Sequence, residues 1–150
     1  MERSEKPKKY KSMVKLLDDP QVKTWRSVMS AFQGTLNRLE AGLKEDGFHV
    51  SRFQILFYLY FEGPLAAVDL SRKLLVTRGN ISTFLKRLES DGQIEVCPSS
   101  PSPKRPFYML SENAVSEFEK VFPKHVKRIQ KFVPIFSPAI LKQLSKLGEG

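Results

Sequence analysis

Cysteine is almost missing from this chain: Cys97 is the only one in 150 residues. No internal disulfide can form, and the composition suits a reducing compartment, so a cytoplasmic location is expected. Histidine is nearly as scarce. His49 and His125 stand 76 positions apart, and neither shares a spacing with Cys97 that would hold a metal, so no metal site is expected. No apolar run approaches the roughly 18 residues of a membrane span, and MERSEKPKKYKSMVK lacks the apolar core of a signal peptide. Phosphate-cradling glycine loops, a GxSxG elbow and paired carboxylates are also missing. These gaps argue against an enzyme, and no cofactor is expected. Acidic residues are the last shortage: 16 Asp and Glu against 25 Lys and Arg leave a net charge of +9 and a pI near 9.7. That balance suits a polyanionic partner, with nucleic acid ahead of a membrane surface.

What is present is concentrated between Val76 and Ile94. Ile81, Phe84, Leu85 and Leu88 fall at i, i+3, i+4 and i+7, which is one stripe of a helix. Gly79, Ser82, Thr83, Lys86 and Arg87 share the other side, with Asn80 at its edge and no Asp among them. Thr77 can cap the start, and Gly92 marks the stop. Upstream, Gly63-Pro64 precedes LAAVDLSRKLLV, a second short apolar-faced helix, and Leu75 to Arg78 leaves room only for a tight turn. Two helices joined this way read DNA with the second one in the major groove. Downstream, Gln93 to Cys97 alternates as a strand does, and Pro106 to Leu110 can pair with it. Between them CPSSPSPKRP holds four prolines and three serines, so it should project as a wing carrying Lys104 and Arg105.

The order of helix, turn, helix and hairpin resembles the MarR family of winged helix-turn-helix transcription regulators. The resemblance covers about residues 20 to 148 and rests on Phe53 to Phe61, Gly63 to Leu65, Leu70 to Leu74, Val76 to Arg78, and Leu88-Glu89 with Gly92. Two features depart from it. Ser102-Pro103-Lys104 replaces the usual Asp-x-Arg pair of the wing, and Leu110-Ser111-Glu112-Asn113-Ala114 replaces the usual Leu-Thr-x-x-Gly. The expected fold is mainly α with a small β-hairpin wing, an α+β winged helix whose N- and C-terminal helices form a dimerisation lobe. Residues 1–18 are expected as a basic tail and 19–150 as one domain, with dimerisation helices at 19–46 and 111–148 around a DNA-binding lobe at 51–110.

The dimer is also expected from spacing. Val22, Trp25, Met29, Phe32, Leu36, Leu39 and Leu43 step by 3 and 4 alternately, as do Val115, Phe118, Phe122, His125, Ile129, Phe132 and Phe136. Such seams pack long helices side by side, partly within one chain and partly across a two-fold axis that covers what a monomer would leave exposed. Pro123 should kink the second seam or split it in two. Ile140, Leu141, Leu144 and Leu147 give a last helix its own apolar face. Ser51 and Gln54 match a capping box at the head of a helix that is apolar almost all round.

The sequence therefore points to a homodimer that binds double-stranded DNA at an imperfect palindrome. Arg78, Asn80, Ser82 and Thr83 are assigned to base edges and Lys86, Arg87 and Lys104 to phosphates, with Arg105 available for phosphates or a minor groove and the N-cap Thr77 counted in the same DNA-binding face. A winged helix serving only as a protein-interaction module is the alternative reading, and an enzyme of unrecognised type is a remote third. Trp25, Phe53 and Phe57, with Arg26, His49 or Arg52 for charge, could bind a small aromatic acid as effector, or could simply fill the core. Cys97 is either an inert strand cysteine or a redox sensor.

Overall fold

The computed structural model describes residues 7–149, so the first six residues of the expected basic tail lie outside it. The chain divides into two compact units, Met1–Arg38 and Leu39–Gly150. In the first, the stretch expected as a tail contains a helix, α1 (Tyr10–Leu16). It is followed by α2 (Pro20–Glu45), which continues into the second unit. Asp19 caps α2: its Oδ1 accepts from the backbone N–H groups of Gln21 at 2.8 Å and Val22 at 3.1 Å. Pro20 takes the first helical position, where a missing N–H loses nothing. Trp25, Met29 and Phe32 of this helix are exposed.

The second unit holds the last turns of α2, then α3 (Val50–Glu62), β1 (Leu65–Ala66), α4 (Ala67–Leu74), α5 (Arg78–Ser90), β2 (Ile94–Val96), β3 (Phe107–Leu110), α6 (Glu112–Phe132) and α7 (Pro138–Gly148). The expected two-stranded hairpin is a three-stranded antiparallel sheet in the order β1-β3-β2. Leu65 and Ala66, read above as the start of the first motif helix, pair with Tyr108 and Phe107. Ile94 faces Leu110 and Val96 faces Tyr108 in the wing ladder.

Helix α3 is the centre of the core. Ile55 and Leu56 are fully buried, Leu70 meets them from α4, Ile81, Leu85 and Leu88 from α5, and Ala114, Phe118 and Val121 from α6. The helix is not buried on every side, because Tyr60 and Phe61 are exposed. Its expected capping box does not form: α3 begins at Val50, with His49 at the N-cap and no side-chain cap bond. Tyr60 finds a partner on α6, donating to Glu119 Oε1 at 2.8 Å.

Helix α6 passes through Pro123 as one helix, so of the two expected outcomes, a kink or a split, the split does not occur. Phe118, Val121 and His125 are buried on both sides of the proline, and that packing outweighs the hydrogen bond it removes. The first half of the second seam thus serves the core of its own chain. Beyond it, Ile129 and Phe136 are exposed, as are the apolar residues of α7. Ser111 fills the capping role after the wing: its Oγ accepts from Ala114 N–H at 3.2 Å and donates to Gly92 O at 2.8 Å.

The end of α2 is fastened to α6 by charge. Asp46 pairs with Arg128 at 2.6 Å and with Lys124 at 3.2 Å, and the Arg128 side chain lies across Gly42, where a Cβ would come within 2.4 Å of it. Burial alone would raise the Asp46 carboxyl, but Arg128 and Lys124 outweigh it and hold the group below its usual value. His125 sits next to Arg128 in the core, its ring 4.5 Å from that of Phe53. Burial pushes its imidazole below the ordinary value of 6.5, and Arg128 adds to the shift.

A group depressed in the fold gives its full support above its unfolded pKa and loses it as the pH falls through the folded one. For His125 that loss begins below about 6.5, whereas Asp46 gives way only in stronger acid. His125→Phe keeps the ring packing and should flatten the fall in urea-measured stability between pH 7 and pH 5. An unchanged slope would show that His125 does not set it.

Candidate nucleic-acid interface

Helix α5 is positioned by its two faces. Ile81, Leu85 and Leu88 are buried against α3 and α4, with Phe84 half-buried beside them. Thr77 is the N-cap, its Oγ1 accepting from Asn80 N–H at 3.2 Å, and Gly92 follows the helix with φ +65°. The remaining face is turned outward. Thr77, Arg78, Asn80, Ser82, Thr83, Lys86 and Arg87 are all exposed. Thr83 donates its hydroxyl to Gly79 O at 3.1 Å, which leaves its oxygen able to accept.

The wing is organised by serines. Ser100 Oγ donates to Cys97 O at 2.6 Å and accepts from Phe107 N–H at 2.9 Å, which closes its base. Ser102 to Arg105 forms a tight turn at the tip, with Arg105 N–H on Ser102 O at 3.0 Å and Lys104 N–H on Ser102 Oγ at 3.2 Å. Ser at the first position and Pro at the second are what such a turn favours. Ser102 therefore braces the tip in the place that the Asp-x-Arg pair takes in the family the sequence resembles. Cys97 is buried at the base, its sulfur 3.1 Å from Ser99 Oγ.

The turn places Lys104 and Arg105 near the start of α5. Arg78, Ile81, Ala66, Lys104, Arg105 and Tyr108 line one cleft of about 270 Å³. Burial, with a contribution from Glu89, raises the Tyr108 hydroxyl above its ordinary value, so it stays protonated in this basic cleft. Ala66 and Tyr108 were not among the expected site residues. Their place depends on β1, which is too short to show a period. Among the described residues, Arg78, Lys86, Arg87, Lys104 and Arg105 make no ion pair, whereas Arg52, Arg72, Arg128, Lys23, Lys73 and Lys124 do.

The six residues assigned to a ligand are distributed differently. Trp25 and Arg26 are exposed on the first unit. Phe53 is buried in the core of the second, packed on Phe118 and His125, and Phe57 is half-buried against Phe61 and Phe122. His49 and Arg52 share a cleft of about 320 Å³ with Ser51, Phe84, Arg87 and Asp91. Arg52 is already engaged: it pairs with Glu117, donates to Gln93 Oε1 at 2.6 Å and lies over the Phe48 ring. Among the described residues, no group of His, Cys, Asp and Glu could hold a metal ion, and no helix is long and apolar enough to cross a membrane.

Residues 46–105, from the end of α2 to the wing tip, match the family model described as MarR family. YkoM of Bacillus subtilis (strain 168), named as an uncharacterized HTH-type transcriptional regulator, is 29% identical over 121 residues, covering 80% of this chain and 78% of its own. Among solved structures, AbsC, a MarR family transcriptional regulator from Streptomyces coelicolor, matches with a TM-score of 0.77 at 21% identity, over 87% of this chain and 90% of its own. Sco3205, a MarR family transcriptional regulator from the same organism solved in complex with DNA, matches with a TM-score of 0.74 at 23% identity, over 87% and 86% of the two chains. Residues 46–105 thus carry the pattern of the MarR family model, and the winged helix architecture around them is similar to that of solved MarR family regulators.

Proposed function

We propose that this chain is a dimeric, sequence-specific DNA-binding transcription regulator. The observation that carries the reading is the outward face of α5 with the wing beside it: five exposed cations with no ion pair among the described residues, interleaved with Asn80, Ser82 and Thr83, and no acidic residue from Arg78 to Leu88. Cations left without carboxylate partners are available to phosphates, and their binding releases condensed counterions. Helix α5 enters the major groove. Arg78 suits guanine O6 and N7, Asn80 suits adenine N6 and N7, Ser82 and Thr83 complete the base contacts, and Lys86, Arg87, Lys104 and Arg105 hold the backbone.

Residues 51–110 form the DNA-binding lobe, and of the helices at 19–46 and 111–148 the parts left exposed by the chain's own core supply the dimer contacts. The exposed apolar residues of α2 and α7 support that assignment, since a free surface of this kind is normally covered. A two-fold dimer reads an imperfect palindrome with half-site centres about 10 base pairs apart. A small aromatic carboxylate is the proposed effector. The cleft of His49 and Arg52 offers it a second cation, Arg87, against the apolar edge of Phe84 and Leu88.

Duplexes selected from a randomised pool test the reading. On the selected site Arg78→Ala should lose about 1–3 kcal/mol. Lys86→Ala should weaken all sequences alike and lower the salt slope by about 1. Isotherms unchanged by both substitutions would remove α5 from the interface. Salicylate added to the same titration should weaken binding, and an unaltered affinity would remove the effector from the proposal.

A further inference from the structure

The turn after α4 and the first turn of α5 hold two residues that the folded chain gives no reason to keep. Leu75 ends α4 in the left-handed conformation, with φ 53° and ψ 39°, and among the described residues it is the one non-glycine with positive φ. A left-handed leucine crowds its Cβ against the following carbonyl, a strain that glycine escapes and asparagine tolerates. Burial does not explain the choice, because Leu75 is 92% exposed. Four residues on, Gly79 stands in the first turn of α5, where alanine is favoured. A Cβ there would meet nothing closer than Thr77 Oγ1 at 4.0 Å. Local stability asks for a small residue at 75 and a side chain at 79, and the chain has the reverse.

Strain kept at an exposed position points to use rather than to folding. Arg72, Thr77 and Arg78 surround the two residues, all of them exposed, so the edge is basic and polar apart from one protruding leucine. We propose that this edge is an apolar and close-approach contact with DNA: Leu75 rests on a non-polar part of a nucleotide, a deoxyribose or a thymine methyl, and Gly79 lets the helix backbone come near. The inference rests on the DNA-binding reading given above. It adds a contact that loses no phosphate partner when removed, which sets it apart from the cationic residues.

The test uses the full chain and the duplex that the wild type selects from a randomised pool. Leu75→Asn and Gly79→Ala should each melt about 1–4 °C higher than wild type and bind that duplex at least about fivefold more weakly. The slope of log affinity against log salt should stay the same. Uracil in place of thymine separates the two sources. If the methyl is the contact, the wild type loses affinity on the uracil duplex and Leu75→Asn loses no more. If a deoxyribose is the contact, the Leu75→Asn loss is the same on both duplexes. Full affinity in either variant overturns the proposal, and so does a lowered melting temperature in Leu75→Asn. Arg78→Ala separates the two readings: if it weakens binding while Leu75→Asn does not, only this inference falls. A wild type that binds no duplex removes both.

Discussion

Replacing Phe118 by alanine should cost about 3–5 kcal/mol of stability. Phe118 is 1% exposed, and its ring lies 5.5 Å from Phe53, 5.0 Å from Tyr60 and 5.3 Å from Phe122. It therefore joins α6 to both ends of α3. Alanine leaves a void the size of a benzene ring between helices that are also held by Arg52–Glu117 and Tyr60–Glu119, so the site cannot collapse fully to fill it. A domain of this size commonly has only about 5–15 kcal/mol in total. Phe118→Leu, which keeps most of the volume, should lose much less. Urea unfolding of the two variants provides the comparison, and a loss below about 1 kcal/mol for alanine would mean that the cluster is not the joint between the helices.

The other large effect is on assembly. Trp25 and Phe32 are 57% and 58% exposed, so lysine at both positions should hardly change the stability of the chain by itself. In the proposed dimer the same changes put charge into an apolar seam. Aromatic anchors of interfaces are typically worth at least 2 kcal/mol each, and a two-fold axis counts each of them twice. The dissociation constant should rise by roughly a thousandfold or more, which turns a micromolar dimer into a monomer. Sedimentation should give wild type at twice the 17.2 kDa chain mass and the double variant at the chain mass, with its circular dichroism retained. Wild type sedimenting as a monomer at micromolar concentration, or a double variant that still pairs, would sink the dimer. The loss should carry over to the DNA isotherm, since a monomer holds one half-site at a time.

The parts of the fold that could be read from the sequence are those fixed by local chemistry. Thr77 caps α5, Gly92 follows it, and Ile81, Leu85 and Leu88 are buried because a 3.6-residue period and a hydroxyl N-cap act within a few residues. Pro20 and Asp19 open α2 for the same reason. What could not be read depends on partners far along the chain. Two residues of β1 have no period, and Leu65 pairs with Tyr108 only once the wing returns. The spacing of the second seam showed an apolar face but not its partner, and Phe118 went to α3 rather than to a second chain. Ser51 and Gln54 have the letters of a capping box, yet α3 starts two residues earlier than a Ser51 cap requires, which puts Ser51 inside the helix. At the candidate site, the residue types and their exposure were legible. The meeting of Arg78 with Lys104 and Arg105 was not, because it follows from the Ser102 turn.

One hydroxyl, that of Ser111, holds both the Gly92 carbonyl just past α5 and the Ala114 N–H in the first turn of α6. The wing strand and the arm therefore start from a common pivot at the end of the helix that faces outward. A 21-residue α6 is about 30 Å long at 1.5 Å per residue. A rigid rotation of about 5° about Ser111 would carry its far end by roughly 2.5 Å. By the same geometry, a displacement of a few ångströms near Phe132 would arrive at Ser111 as a rotation of only a few degrees.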